Sequence, residues 1–296
     1  MLRGLHCPGG HRDLPDDRRA DVRLTGPEDG PVVLLHPGTP VAATRLRFLE
    51  VPAHERGLRV LAISRPGYGA STRLPARAIV DVVADTDHVL HHLGVHQCVV
   101  IGWSGGGPHA LACAARLSQA TATAVIASGA PYPAGGLDWM TGMAAGNVTG
   151  FSAAIEGEAA LRPLLERDRP AMLDSTADDL LKVMAEGVAE VDRSHVTGPL
   201  VEDLLASNHV GLQDGVDGWC DDALALVRDW GWRFSEIRTP TTLWHGQDDR
   251  LVPYSHGRWL ADHVPGVTPH LLPDEGHFSI VSGRMGEILD ELLRIA

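Results

Sequence analysis

Lysine is almost missing: of 25 basic residues only Lys182 is a lysine. It sits in a helical stretch far along the chain from the motifs below, so imine-forming chemistry has nothing to rest on. Cysteine is scarce too. Cys7, Cys98, Cys113 and Cys220 form no CxxC pair, which leaves no redox or zinc motif of that kind. Three of them stand in apolar stretches and read as free, buried thiols. Long hydrophobic runs are lacking: nothing approaches the roughly 18 apolar residues of a membrane span. The N-terminal MLRGLHCPGGHRDLPDDRRA has no apolar core, so no secretory leader is expected. Basic charge is short, 25 Lys+Arg against 38 Asp+Glu for a net −13. No basic run stands out, so neither nucleic acid nor a membrane is an expected partner. HExxH is absent from the 16 histidines, and His91, His92 and His96 straddle Gly94. No metal and no cofactor are expected. A cytoplasmic protein acting on a small molecule remains, with its oligomeric state open.

With 44% hydrophobic and 21% charged residues, the 296-residue chain is globular in composition. Its length suits one large domain or two modest ones. Short apolar runs at Val32–Leu35, Arg59–Ser64, Cys98–Trp103 and Ala122–Ala127 read as buried strands. Helical periods fill the gaps: residues 41–56, Ile79 to Leu93 stopped by Gly94, and His109 to Leu117. Strands alternating with helices imply βαβ units and a parallel sheet. Residues 19–25 suit an antiparallel edge strand. From 131 to 217 helical periods continue without a convincing strand, including stripes at Leu180, Leu181, Met184, Val188 and at Leu200, Val201, Leu204, Leu205. Connections in α/β proteins usually run about 2–6 residues outside their helix, so this stretch reads as an inserted helical unit. The alternation then resumes. A helix is expected through Leu224, Leu226, Val227 and Trp230, a strand at Thr241–Trp244 and a helix over 255–264. A last strand at Val267–Leu272 and a terminal helix from Val281 to Leu292 complete the pattern. The predicted core is 1–130 with 218–296.

Gly102-Trp103-Ser104-Gly105-Gly106 is a G-x-S-x-G at the junction of a predicted strand and a predicted helix, the context this motif requires. A nucleophile there projects clear of the sheet, and small neighbours admit the tight turn. A serine hydroxyl needs a base, and the base needs an orienting carboxylate. Asp249 follows the 241–244 strand and His277 follows the last strand. Both stand at C-terminal strand ends, where open α/β sheets gather their sites. Asp248 competes with Asp249; the spacing to Val252-Pro253 favours Asp249. Acyl transfer also needs two N–H groups aimed at the oxyanion. Gly105 supplies one. Thr39, in the His36-Pro37-Gly38-Thr39-Pro40 turn, is the candidate for the other.

These segments, with S-R-P-G-Y-G (Ser64 to Gly69), G-x-x-D-x-x-V-P (Gly246 to Pro253) and G-H-F (Gly276 to Phe278), resemble the α/β-hydrolase fold superfamily. The resemblance covers the chain from about residue 19 onward. It implies a mostly parallel sheet with helices on both faces, and a helical cap formed by 131–217. It also implies a Ser104–His277–Asp249 triad, and the expected activity is that of a cofactor-free serine hydrolase of a small carboxylic ester, thioester or lactone. Serine at 104, where haloalkane dehalogenases and epoxide hydrolases place aspartate, disfavours those activities. His36, Gly38, Trp103, Trp139 and Met143 are the expected substrate contacts, for an apolar acyl compound. Arg65 reads as a structural turn arginine. Three alternatives stand beside this reading. One is an aminopeptidase similar to the proline iminopeptidases, using cap acids such as Glu156, Glu158, Glu186 and Glu190. Another is a cofactor-free haloperoxidase or perhydrolase, and the third a non-catalytic ligand-binding protein on the same fold.

Overall fold

The computed structural model describes residues 10–196 and 198–296, and only the backbone of 181 and 183–186. Cys7, the N-terminal stretch read for a leader, and the side chains of Leu181, Met184 and Glu186 therefore lie outside the described residues. The strands are β1 (Gly10–Asp13), β2 (Arg19–Thr25), β3 (Val32–His36), β4 (Arg59–Ile63), β5 (Cys98–Trp103), β6 (Ala120–Ile126), β7 (Thr241–Gly246) and β8 (Thr268–Leu272). They form one sheet in the order β1-β2-β4-β3-β5-β6-β7-β8. β2 runs antiparallel to β1 and β4, and the remaining pairs are parallel. Arg19–Thr25 is antiparallel as expected but is not the edge. Gly10–Asp13 lies outside it, a short, polar, half-exposed segment whose composition carries no strand period.

β3 and β5 are buried along their whole length, as in strands covered on both faces. Successive side chains point to opposite faces. Val33, Leu35, Val99 and Ile101 join the core under α1 (Arg47–Glu55) and α11 (Ser279–Ile295). Val32, Leu34, Cys98 and Val100 join the other, under α2 (Val82–His92), α3 (Gly107–Arg116) and α10 (Tyr254–His263). Cys98, Cys113 and Cys220 are free and buried. The chain passes from β3 to β4 on one side and then crosses to β5 on the other, so the topological switch point lies between β3 and β5. Crevices at such points are where open α/β sheets bind ligands.

Between β6 and β7 the described residues form α4 (Ala145–Glu156), α5 (Glu158–Asp174), α6 (Ala177–Gly187), α7 (Glu190–Arg193), α8 (Pro199–Leu212) and α9 (Asp217–Leu226), with no strand among them. The α9 helix stops at Leu226, short of the predicted Trp230. Trp230 stacks on Trp232, and its carbonyl accepts the N–H of Val80, so tertiary packing ends the apolar period. Charged contacts join this stretch to the sheet's helices. Asp203 of α8 is buried against Arg47 at the start of α1. Among the described residues no helix is long and apolar enough to cross a membrane.

Candidate active site

Ser104 leaves the end of β5 with φ 55°, a left-handed conformation that costs a non-glycine residue energy and persists only where its surroundings enforce it. The surroundings do so by close approach. A Cβ on Gly102 would stand 2.5 Å from Ala110 Cβ, and one on Gly106 would collide with the His36 carbonyl. A single 3-10 turn, Ser104–Gly106, then opens α3, with Pro108 in its first turn. Ser104 is half-buried at the base of two adjoining cavities.

Asp249 is buried on the loop after β7, whereas Asp248 is exposed. One Asp249 carboxylate oxygen accepts the N–H groups of Leu251 and Val252 at 2.9 and 2.8 Å. The other lies 2.8 Å from His277 Nδ1. An ionised carboxylate only accepts, so Nδ1 carries the proton and Nε2 is left as an acceptor. His277 lines the same cavity as Ser104. Its backbone N–H, with those of Phe278 and Ser279, donates to the buried carboxylate of Asp192 in α7. Burial works against a charged His277. The charge and hydrogen bond of Asp249, with the charge of Asp192, outweigh it and raise its pKa above the ordinary 6.5. Trp103 packs against the imidazole, ring centroids 5.5 Å apart, and its indole N–H donates to the His277 carbonyl.

Gly105 and Thr39 are neighbours: a Cβ on Gly105 would lie 3.4 Å from the Thr39 nitrogen. Gly38 packs on Ser104, its Cβ position 3.3 Å from Ser104 Cβ. The turn that carries Thr39 is held from behind by Arg65, which donates to the carbonyls of Pro37 (2.7 Å) and Gly38 (3.0 Å). Arg65 also pairs with Asp222 of α9 at 2.5 Å. Asp222 further accepts from Thr39 Oγ1 at 2.8 Å, Tyr68 Oη at 3.0 Å, and Arg77. Despite burial, the two guanidinium groups hold Asp222 well below the usual carboxylate range. Arg65 is thus more than a turn residue: it fixes the peptide planes on which the Thr39 N–H depends.

His36 is a correction. It lines neither cavity beside Ser104. Its ring points into the core behind the elbow, Nε2 at 3.3 Å from Cys113 Sγ, where burial and then the charge of Arg65 push its pKa down to about 3. Side chains alternate along β3, and His36 follows Leu34 to the α3 side.

The larger cavity, about 790 Å³, is lined by Gly38, Thr39, Trp103, Ser104, Arg250 and His277 among others. The smaller, about 140 Å³, is lined by Ser104 and Gly105 with Trp139, Met143, Phe151 and other apolar side chains. Met143 borders both. Glu156, Glu158 and Glu190 are exposed and line neither. Among the described residues no group of three His, Cys, Asp or Glu is placed to hold a metal ion.

The model of the alpha/beta hydrolase fold matches residues 31–283. The chain belongs to the alpha/beta hydrolase fold family. It is 28% identical over 289 residues to a 2-hydroxy-6-oxononadienedioate/2-hydroxy-6-oxononatrienedioate hydrolase of Klebsiella pneumoniae, covering 94% of this chain and 89% of the relative. A pimeloyl-[acyl-carrier protein] methyl ester esterase of Aromatoleum aromaticum is 28% identical over 233 residues, 76% of this chain and 83% of the relative. The fold also superposes on an esterase from Exiguobacterium antarcticum with a TM-score of 0.69 at 21% identity, covering 96% of this chain and 99% of that one.

Asp222 and Asp192 escaped the sequence reading because neither stands in a motif. The one sign of Asp222 was a carboxylate beside the apolar period of Leu224 and Leu226. Removing one partner of a fully buried ion pair strands the other's charge and costs about 3–5 kcal/mol, whereas an exposed pair contributes about 0–1 kcal/mol. Asp222→Ala should therefore lower unfolding stability in urea by about 3–5 kcal/mol. Arg116→Ala, which breaks a surface pair with Glu236, should leave the urea midpoint nearly unchanged, since solvent screens an exposed pair. Equal losses for the two would refute a structural role for the buried cluster.

Proposed function

We propose that this hydrolase-family chain cleaves small carboxylic esters, thioesters or lactones through an acyl-enzyme on Ser104, with His277 as base, Asp249 as its orienting acid, and residues 131–217 as a cap over the site. The observation that carries the reading is the His277 Nδ1–Asp249 hydrogen bond, which leaves Nε2 as the acceptor nitrogen of a ring that lines the same cavity as Ser104. His277 takes the Ser104 proton as Oγ attacks the carbonyl carbon. The oxygen gains the negative charge and meets the N–H groups of Gly105 and Thr39. Collapse expels the leaving group, which takes the proton from His277. Water then attacks the acyl carbon and gives its proton to the same nitrogen; the carbon–Oγ bond breaks, Oγ takes that proton back from His277, and the acid and Ser104 are released. No step calls for a cofactor. The relatives named above are hydrolases, one of them of a methyl ester, which supports this reading over a pure binding role. An aminopeptidase would need an acid facing the substrate amine, and Glu156, Glu158 and Glu190 face solvent.

Ser104→Ala should lower p-nitrophenyl acetate turnover by on the order of 10⁶ and abolish labelling by a fluorophosphonate probe, with an unchanged circular dichroism spectrum. Residual turnover of a few per cent in a pure preparation would sink the assignment.

Asp249→Asn should reduce kcat by up to ~10⁴, as loss of the carboxylate favours the wrong tautomer. Asp248→Asn, at an exposed side chain, should stay within about twofold, since surface changes away from a site are usually near neutral. Steady-state kinetics of the pair decide it, and a crippled Asp248→Asn would refute the assignment of Asp249.

The base must be neutral to act, and its pKa is raised, so kcat/KM should fall as pH drops through a value above 6.5. Asp192→Asn removes one of the charges that raise it and should move that acid limb to lower pH. A pH profile in which Asp192→Asn moves the limb upward, or not at all, contradicts the electrostatics.

A further inference from the structure

We infer that the two cavities divide the substrate at the scissile bond, the acyl group entering the small apolar chamber and the leaving group the large one, so that the substrates are esters of a small apolar acid with a bulky alcohol or thiol. The inference rests on Ser104 as nucleophile and His277 as general acid. Ser104 and Thr39 border both chambers, Gly105 only the small one, and His277 only the large one. That asymmetry sets the polarity of binding. A general acid must come within about 2.6–3.2 Å of the oxygen or sulfur it protonates, so the departing atom stands on the imidazole side and its substituent extends into the large chamber. The carbonyl oxygen points at Gly105 and Thr39. The remaining substituent on the carbonyl carbon is the acyl chain, and the space left for it is the small chamber.

The dimensions of that chamber then limit the acid. Its volume is about 140 Å³, close to the apolar cavity of about 150 Å³ that binds benzene. An acyl substituent of phenyl size, or a chain of about four to six carbons, fills such a volume. Trp139, Phe151, Leu161, Leu165, Trp219 and Leu226 form its walls, and among the described residues no charged side chain lines it. A carboxylate-bearing acyl chain would lose its hydration there without a partner. The large chamber, about 790 Å³, sets no comparable limit on the alcohol and includes Arg250 and Asn208 in its lining.

Octyl butanoate and butyl octanoate are isomers that differ only in which side of the ester bears the long chain. The wild-type enzyme should hydrolyse octyl butanoate with a kcat/KM at least about tenfold higher, as misfit of a methylene or more in an apolar pocket is worth about 10–200-fold. Phe151→Ala, at a half-buried wall position, should shrink that ratio severalfold by lengthening the small chamber. A wild-type ratio near one or reversed overturns the assignment of the chambers, as does an unchanged ratio in Phe151→Ala. Ser104-dependent turnover of p-nitrophenyl acetate, measured in the same preparations, separates the two levels. If it is present while the isomer ratio is wrong, only the division of the substrate fails. If Ser104→Ala retains turnover, the nucleophile itself is wrong.

Discussion

The site depends on one close approach. The end of β5 and the first turn of α3 pass so near the His36 carbonyl and Ala110 that no side chain fits at Gly106 or Gly102. That contact holds Ser104 at φ 55°, and packing of the surrounding core supplies the energy that keeps the strained turn in place. Everything else is arranged around the hydroxyl it projects. The β3 turn brings Thr39 beside Gly105, and the loops after β7 and β8 meet so that Asp249 and His277 bond at 2.8 Å. The loops themselves cross tightly, since a Cβ on Gly246 would collide with the Glu275 carbonyl.

Two buried carboxylates tie the helical stretch and the helix after it to this machinery. Asp192 collects three N–H groups at the start of α11 and so fixes the backbone of His277. Asp222 balances Arg65 and Arg77 behind the Thr39 turn. Burying such charges is costly unless they are paired and hydrogen-bonded, and both acids are. A shift of the helices that carry them would therefore be felt at His277 and at the Thr39 turn together. Positions far apart in sequence thus become positioning residues for the site.

The division of the ligand space follows from the same geometry. His277 and Ser104 line one chamber together, and the segment before α4, with helices α4 and α5, walls the other with Trp139, Phe151 and Leu161. Met143 stands between the chambers and borders both. The aromatic and sulfur-bearing side chains of this stretch thus serve two ends at once: Trp139 and Phe151 pack edge to face, 4.8 Å apart, and still present a surface to the cavity.

Much of the fold was legible because local signals were redundant. Buried strands such as Cys98–Trp103 are short, apolar and flanked by turn residues, and α2 ends where Gly94 takes φ 67°. Where only tertiary contacts decide, the sequence was silent or misleading. The polar β1 has no period of its own and exists because β2 offers it an edge, and α9 ends early because Trp230 packs elsewhere. The sequence by itself determined the order of strands and helices, the tight serine turn, and the acid and histidine at strand ends, since each is a local matter of spacing and backbone freedom. Only the tertiary structure decided that His36 turns away from the site and that Arg65 and Asp222 brace the Thr39 turn. It alone divided the ligand space unequally about Ser104. The bracing depends on atoms 157 positions apart, in Arg65 and Asp222, coming within hydrogen-bonding reach, and no periodicity encodes that; His36 follows the alternation of β3, and only the packing of α3 shows which face that is.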